Sequence, residues 1–269
     1  MIAEIIILLI IGWGVGVITG LIGGSGVAVV APILVVLLKY DAYTAIGIGL
    51  AIDVVASLVA AQTYYKHKNI HIKAALLLAS VTIIGALAGS YLSSHVPTTR
   101  LGWLTGFVVF AAGISFIQKP IHDRVKIFRK KLRINFEVLW QKRLAIIISG
   151  LSIGLIAGFF GAGGGFMILI ALMFVMNYPI HKAVGTSVLL MAFTAFAGAV
   201  GHEIYGTLPW MAIGLGCIGA IIGAKSAATF ANMFCDERRM GKIAGIVFVI
   251  LGALMIINQM FFANGGIFG

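Results

Sequence analysis

Charged side chains are so unevenly spread along this chain that whole tracts of it must fold away from water. No Asp, Glu, Lys or Arg occurs from Ile5 to Leu38, Ala74 to Ser94, Leu101 to Gln118, Leu144 to Met176 or Ile243 to Gly269. About 20 apolar residues cross a bilayer as one helix, so these tracts hold several crossings. Of the 269 residues 61% are hydrophobic and 10% charged, with a mean hydropathy of +1.11. A soluble domain carries roughly 25% charged residues. The apolar runs do not alternate with polar residues, which argues against a membrane β-barrel. The expected class is an all-α polytopic membrane protein. The segment Met1 to Glu4 has no basic n-region, so the first run is read as retained structure rather than as a signal peptide.

The formal net charge is +11, which in a soluble chain would suggest a nucleic-acid partner. Here the charge is segregated. Lys119, Arg124, Lys126, Arg129, Lys130, Lys131, Arg133, Lys142 and Arg143 share one loop with only Asp123 and Glu137 against them. Cytoplasmic loops carry such Lys/Arg excess, and anionic lipid headgroups attract it. This loop is therefore expected to face the cytoplasm, with membrane lipid and not nucleic acid as its partner. Cys217 and Cys235 have no metal-site or disulfide spacing, so reduced thiols are expected, with no metal and no cofactor.

A repeat runs through the chain at an offset of 138 residues. Gly12, Gly16, Gly20, Gly23 and Gly26 recur as Gly150, Gly154, Gly158, Gly161 and Gly164. The register holds through Tyr40 and Tyr178, Gly47 and Gly185, and Gly85-Ala86 and Gly223-Ala224. Three parts follow: a first transmembrane repeat at 1–118, a basic cytoplasmic linker at 119–143 and a second repeat at 144–269. The apolar segments number five in each half, at about 5–20, 25–38, 44–65, 74–94 and 101–118, then about 144–158, 164–177, 183–202, 209–230 and 242–262. An odd number per half requires inverted topology. Lys66, Lys68, Lys73, Lys182 and Arg238-Arg239 fall on the side of the basic linker, which leaves both termini outside the cytoplasm. Inverted repeats characterise secondary transporters, where they give a midplane site two alternating openings.

The first two segments of each half span only about 14 to 16 residues, which predicts a short helical hairpin, re-entrant or fully spanning. Adjacent glycines break each hairpin: Gly23, Gly24, Ser25 and Gly26 in the first, Gly161, Gly163, Gly164 and Gly165 in the second. Non-helical backbone at membrane depth is tolerated where it is buried in protein or lines a cavity. The helix that follows presents unpaired N–H groups and the positive end of its macrodipole, an arrangement suited to an anion. Tight helix packing is the other reading, and Gly12, Gly16 and Gly20 at four-residue spacing fit it well.

The stretches "GLIGGSGVAVVAPIL" and "GFFGAGGGFMILIAL", with "HKAVGTSVLL" and the later Gly-Ala pair, resemble the sulfite exporter TauE/SafE family of bacterial membrane transporters. The likeness covers nearly the whole chain apart from the basic linker. It departs at Ser25, where the second half has Gly163, and at Ile170, where a Pro matching Pro32 of the first half is expected. The resemblance implies transport of a small sulfur-containing anion, of the sulfite, thiosulfate or organosulfonate class, across the cytoplasmic membrane and driven by an ion gradient. A homodimer stays open.

Ionisable residues within apolar segments are functional candidates. Asp53 is mid-segment, with Met191 at the repeated position, and is read as a proton acceptor for coupling; a structural hydrogen-bond role is the alternative. Lys225 would attract an anion, or else snorkel to the interface. Thr186 and Ser187 offer hydroxyl donors for an oxyanion. His202-Glu203 is read as a solvated pair at a helix end. A passive anion channel is one alternative. A rhomboid-like intramembrane serine protease is another, from Gly23-Gly24-Ser25-Gly26 and His202, and requires the serine and histidine to meet. The reading preferred is a transporter and not an enzyme.

Overall fold

The computed structural model describes residues 2–118, 139–161, 164–175 and 178–234, with scattered helical positions between 246 and 260. Among the described residues every regular element is helical: α1 (Ile2–Ile22), α2 (Val27–Leu37), α3 (Ala42–Lys66), α4 (Ile72–Ser94), α5 (Thr98–Gln118), α6 (Leu139–Phe160), α7 (Gly164–Val175), α8 (Ile180–Ile204) and α9 (Trp210–Phe234). Residues 119–138 of the basic linker and most of the tenth apolar segment lie outside the described residues.

Local chemistry sets the breaks. The Asp41 carboxylate accepts the Thr44 N–H at 3.0 Å and caps α3. Helix α1 stops at Gly23, with φ +65° and its N–H donating to the Thr19 carbonyl at 3.0 Å. Helix α6 stops the same way at Gly161, with φ +66° and its N–H on the Ala157 carbonyl at 2.8 Å. A left-handed residue costs an L side chain about 1–2 kcal/mol, so glycine is the residue that ends both helices here. After the short helices, the Tyr40 and Tyr178 N–H groups donate to the Leu34 and Leu172 carbonyls at 3.2 and 3.5 Å. The two glycine stops and the two tyrosine turns pair at the 138-residue offset.

Glu4–Leu21, Ala42–Lys66, His181–Ile204 and Trp210–Met233 are long and apolar enough to cross a membrane. The expectation that both members of each hairpin are short needs correction. Helix α1 has 21 residues and α6 has 22, and only α2 and α7, with 11 and 12, are half-length. At 1.5 Å per residue, α2 and α7 reach about 17–18 Å, well short of an apolar core about 30 Å thick. Glycines and flanking charges mark false limits for α1 and α6, which run past them at both ends. Glycines at four-residue spacing instead lie within these helices, on a packed face.

Helices α3 and α8 form the centre, with 67% of each span buried against 39% for α1. Around them α1 packs on α9, and α6 packs on α4. Gly16 and Gly20 of α1 lie against the backbone of Ala220 and Ala224, and Gly154 and Gly158 of α6 against that of Thr82 and Ala86. Each contact therefore recurs at its equivalent position in the other half. Close backbone approach of this kind gives membrane helices dispersion contact that lipid cannot better. Large apolar side chains point outward, among them Trp13, Phe107 and Trp210, the last 68% exposed. In water such a surface would aggregate; in a bilayer it is solvated by lipid.

Candidate functional site

Asp53, halfway along α3, is completely buried. An ionised carboxylate without partners at such a place would cost several kcal/mol. Its partners come from one place, the break between α1 and α2. Thr19 Oγ1 donates to Oδ1 at 2.9 Å, Ser25 Oγ lies 2.7 Å from Oδ2, and the Gly26 N–H donates to Oδ1 at 3.2 Å. Gly26 is the N-cap of α2 and offers no side-chain cap, so the carboxylate across the bundle satisfies that helix start. The helix start expected to favour an anion at the first glycine cluster thus faces the protein's own carboxyl group.

Ser25 also reaches the second half. Its Oγ lies 3.0 Å from the carbonyl oxygen of Gly161, the residue that ends α6, and accepts the Val27 N–H at 3.3 Å. Gly165 lies against the Gly23 carbonyl and Met191 Sδ, and Gly161 lies against Val27 and Ile46. The two glycine turns, remote in sequence, are in direct contact. Gly164 opens α7. Gly163 lies outside the described residues. Not all these glycines are alike: a side chain at Gly26 would run into Val15 of α1, whereas one at Gly24 would have nothing within 4 Å.

The halves differ chemically at this point. Asp53 supports the first turn, and at the equivalent position Met191 places a thioether against the second. Ser187 is buried behind Gly23 and donates to the Val184 carbonyl at 2.8 Å. Thr186 is buried too, but its hydroxyl accepts the His71 N–H at 3.0 Å, which ties it to the α3–α4 connection. Lys225 lies on the exposed face of α9, apart from the cluster.

Two residues were misjudged or missed in the sequence. Thr19 was missed; its one local signal is a hydroxyl in an otherwise apolar run, four residues before Gly23. His202 is not solvated but fully buried, with Nδ1 3.0 Å from the Gly198 carbonyl and its ring stacked on Tyr43 at 4.4 Å. The last turn of α8 presents it inward, beneath Leu208 and Gly47, while Glu203 accepts the Leu208 N–H at 3.0 Å. Ser25 has Asp53, Gly161 and Val27 as hydrogen-bond neighbours, and His202 has Gly198, so the pair that a serine protease needs is not assembled. Near Tyr43 a cavity of about 450 Å³ opens, lined also by Asp41, Ser93, His95, Pro97 and Tyr205.

Membrane-length helices around an enclosed polar cluster, with two half-length helices starting at that cluster, define a polytopic helical membrane protein. The chain belongs to the sulfite exporter TauE/SafE family, whose model matches residues 8–255. It is 30% identical over 218 residues to the probable membrane transporter protein YdhB of Bacillus subtilis, covering 81% of this chain and 86% of that one. To the probable membrane transporter protein YunE of the same organism it is 26% identical over 273 residues, covering 96% and 99%. No solved structure matches the chain. The protein is a membrane transporter of this family.

Proposed function

We propose that this chain is a secondary transporter of a small sulfur-containing oxyanion, coupled to protons through Asp53 and working by alternating access in the cytoplasmic membrane. The two halves act as inverted-topology repeats, with both termini outside the cytoplasm and the 119–143 linker inside. Support for the repeat comes from helix pairs whose glycine contacts recur at one offset. Support for the substrate class comes from the family. Lys225 serves as an interfacial anchor in this reading.

The observation that carries the coupling is the buried Asp53 carboxylate seated on the first glycine turn, which itself touches the second. A substrate anion at the joined turns would feel that carboxylate. Two like charges about 5 Å apart at an effective dielectric of about 20 repel by about 3 kcal/mol, roughly two decades in affinity. Protonation of Asp53 removes the repulsion, so proton and anion bind together and move in the same direction. A passive channel has no need for that linkage.

Purified protein in liposomes, given sulfite, thiosulfate, sulfate or a small organosulfonate under an imposed pH gradient, tests this. Wild type should accumulate one of the sulfur anions against its gradient. Asp53→Asn should lose accumulation yet keep anion exchange, because only the protonation step is removed. Undiminished accumulation by the Asn variant would rule out Asp53 as the coupling group, and gradient-independent equilibration in wild type would favour the channel.

A further inference from the structure

The Ser25 hydroxyl has one proton and two acceptors in reach, Asp53 Oδ2 at 2.7 Å and the Gly161 carbonyl at 3.0 Å, and it can donate to only one of them. Which one depends on Asp53. While the carboxylate is ionised it accepts only, so the Ser25 proton points to Oδ2 and the Gly161 carbonyl receives no bond from Ser25. Once a proton from water binds Oδ2, the direction reverses: Oδ2–H donates to Ser25 Oγ, and the serine proton turns to the Gly161 carbonyl. In that state the hydroxyl donates one bond and accepts two, from Asp53 and from the Val27 N–H at 3.3 Å, which is its full capacity. Thr19 and the Gly26 N–H stay on Oδ1 in both states. We infer that Ser25 is a proton-controlled latch, a positioning residue through which protonation of Asp53 ties the first glycine turn to the second.

The inference rests on Asp53 being the group that takes up the coupling proton, and it adds how the second half senses it. Gly161 ends α6 just before α7 starts, so a bond to its carbonyl holds the turn of the half that has no carboxylate of its own. Competing titrations are remote in sequence and helix position. Helix α2 has no ionisable side chain. Glu4 and Arg100 lie in the first turns of α1 and α5; His181, Lys182, His202 and Glu203 lie at the ends of α8. Cys217 and the exposed Lys225 are those of α9, and α3 itself adds Tyr43, Tyr64, Tyr65 and Lys66 near its ends. Among the described residues none of these hydrogen-bonds Asp53. Ser25 has no counterpart in the repeat, where Gly163 stands, so a single hydroxyl serves both turns.

The carbonyl itself reports the latch. Protein labelled with ¹³C-carbonyl glycine and ¹⁵N-alanine gives a signal for each Gly-Ala pair, Gly161-Ala162 among them, in lipid bilayers by solid-state NMR. In wild type the Gly161 carbonyl resonance should shift downfield on going from alkaline to acid pH, as it gains a donor. Ser25→Ala should abolish the shift, Ser25→Thr should restore it, and Asp53→Asn, whose amide donates permanently, should hold the acid-like position at both pH values. Should Ser25→Ala prove unstable, Ser25→Cys keeps the shape with a much weaker donor and should shrink the shift. An undiminished shift in the Ala or Cys variant, or no shift in wild type, would overturn the latch. A wild-type shift that persists in Asp53→Asn would instead overturn the assignment of Asp53 as the proton site.

Discussion

At the scale of single residues, the glycines of the first turn divide into two kinds that composition cannot separate. Gly26 is held against Val15, so Gly26→Ala should destabilise the protein by about 1–3 kcal/mol through overpacking, read as a lower midpoint of thermal unfolding. Gly24 has open space where a side chain would stand and ordinary backbone geometry. Gly24→Ala should therefore fold with near wild-type stability. If the substrate lodges against the joined turns, this variant should also lose the stabilisation conferred by a bound sulfur anion, which is about 2.7 kcal/mol at 100 times its dissociation constant. Full ligand stabilisation of Gly24→Ala would place the anion elsewhere. Asp53 illustrates the same point: the sequence offered proton acceptor and structural partner as rival roles, and hydrogen bonds from Thr19, Ser25 and Gly26 make it a support of the turn, while the proton role is the one that Asp53→Asn tests.

At the scale of elements, the recurrence of contacts between α1 and α9 and between α6 and α4 predicts paired energetics. Gly16→Val drives a side chain into the backbone of Ala220 and Ala224, and Gly154→Val drives one into Thr82. Each should cost about 1–3 kcal/mol or more, because backbone cannot step aside as a flexible side chain can. Gly14→Ala, on the same helix but with nothing within 4 Å, should cost nothing measurable and serves as the control. Thermal unfolding of the three purified variants decides it: a loss confined to one half would mean that the geometric equivalence has no energetic counterpart. Most of this was legible beforehand, since four-residue glycine spacing is a local pattern. What was not legible was that α1 and α6 run at full length through it. Glycine breaks an isolated helix but stabilises one whose neighbour approaches closely enough to use the missing side chain.

At the scale of the whole molecule, orientation is the property still to be measured. In a variant with Cys217 and Cys235 replaced by Ser, an impermeant maleimide added to intact cells should label Pro97→Cys and Thr207→Cys, both exposed and on the side proposed to face outward. Lys130→Cys, in the basic linker, should react only after the membrane is opened. Labelling of position 130 in intact cells would reverse the orientation, and labelling of 97 and 207 on opposite faces would break the inverted repeat. Thr207 suits the experiment better than Gly206, where a side chain would press on Tyr43.

The sequence by itself determined the membrane class, the number and rough limits of the apolar segments, the repeat and the two glycine breaks. Each follows from a property carried by neighbouring residues: apolarity sustained over a bilayer's thickness, Lys and Arg gathered in one loop, glycines too close together for a helix. Only the tertiary structure decided that Asp53 sits on the N-terminus of α2, that Thr19 and Ser25 hold it there, that Ser25 touches Gly161 from the other half, and that His202 faces inward. In a soluble helix the polar face shows which way a side chain points. In lipid both faces are apolar, so the hydrophobic pattern says little about direction. Which residues meet then depends on how distant helices pack, and here glycines fix that packing by letting particular backbones touch.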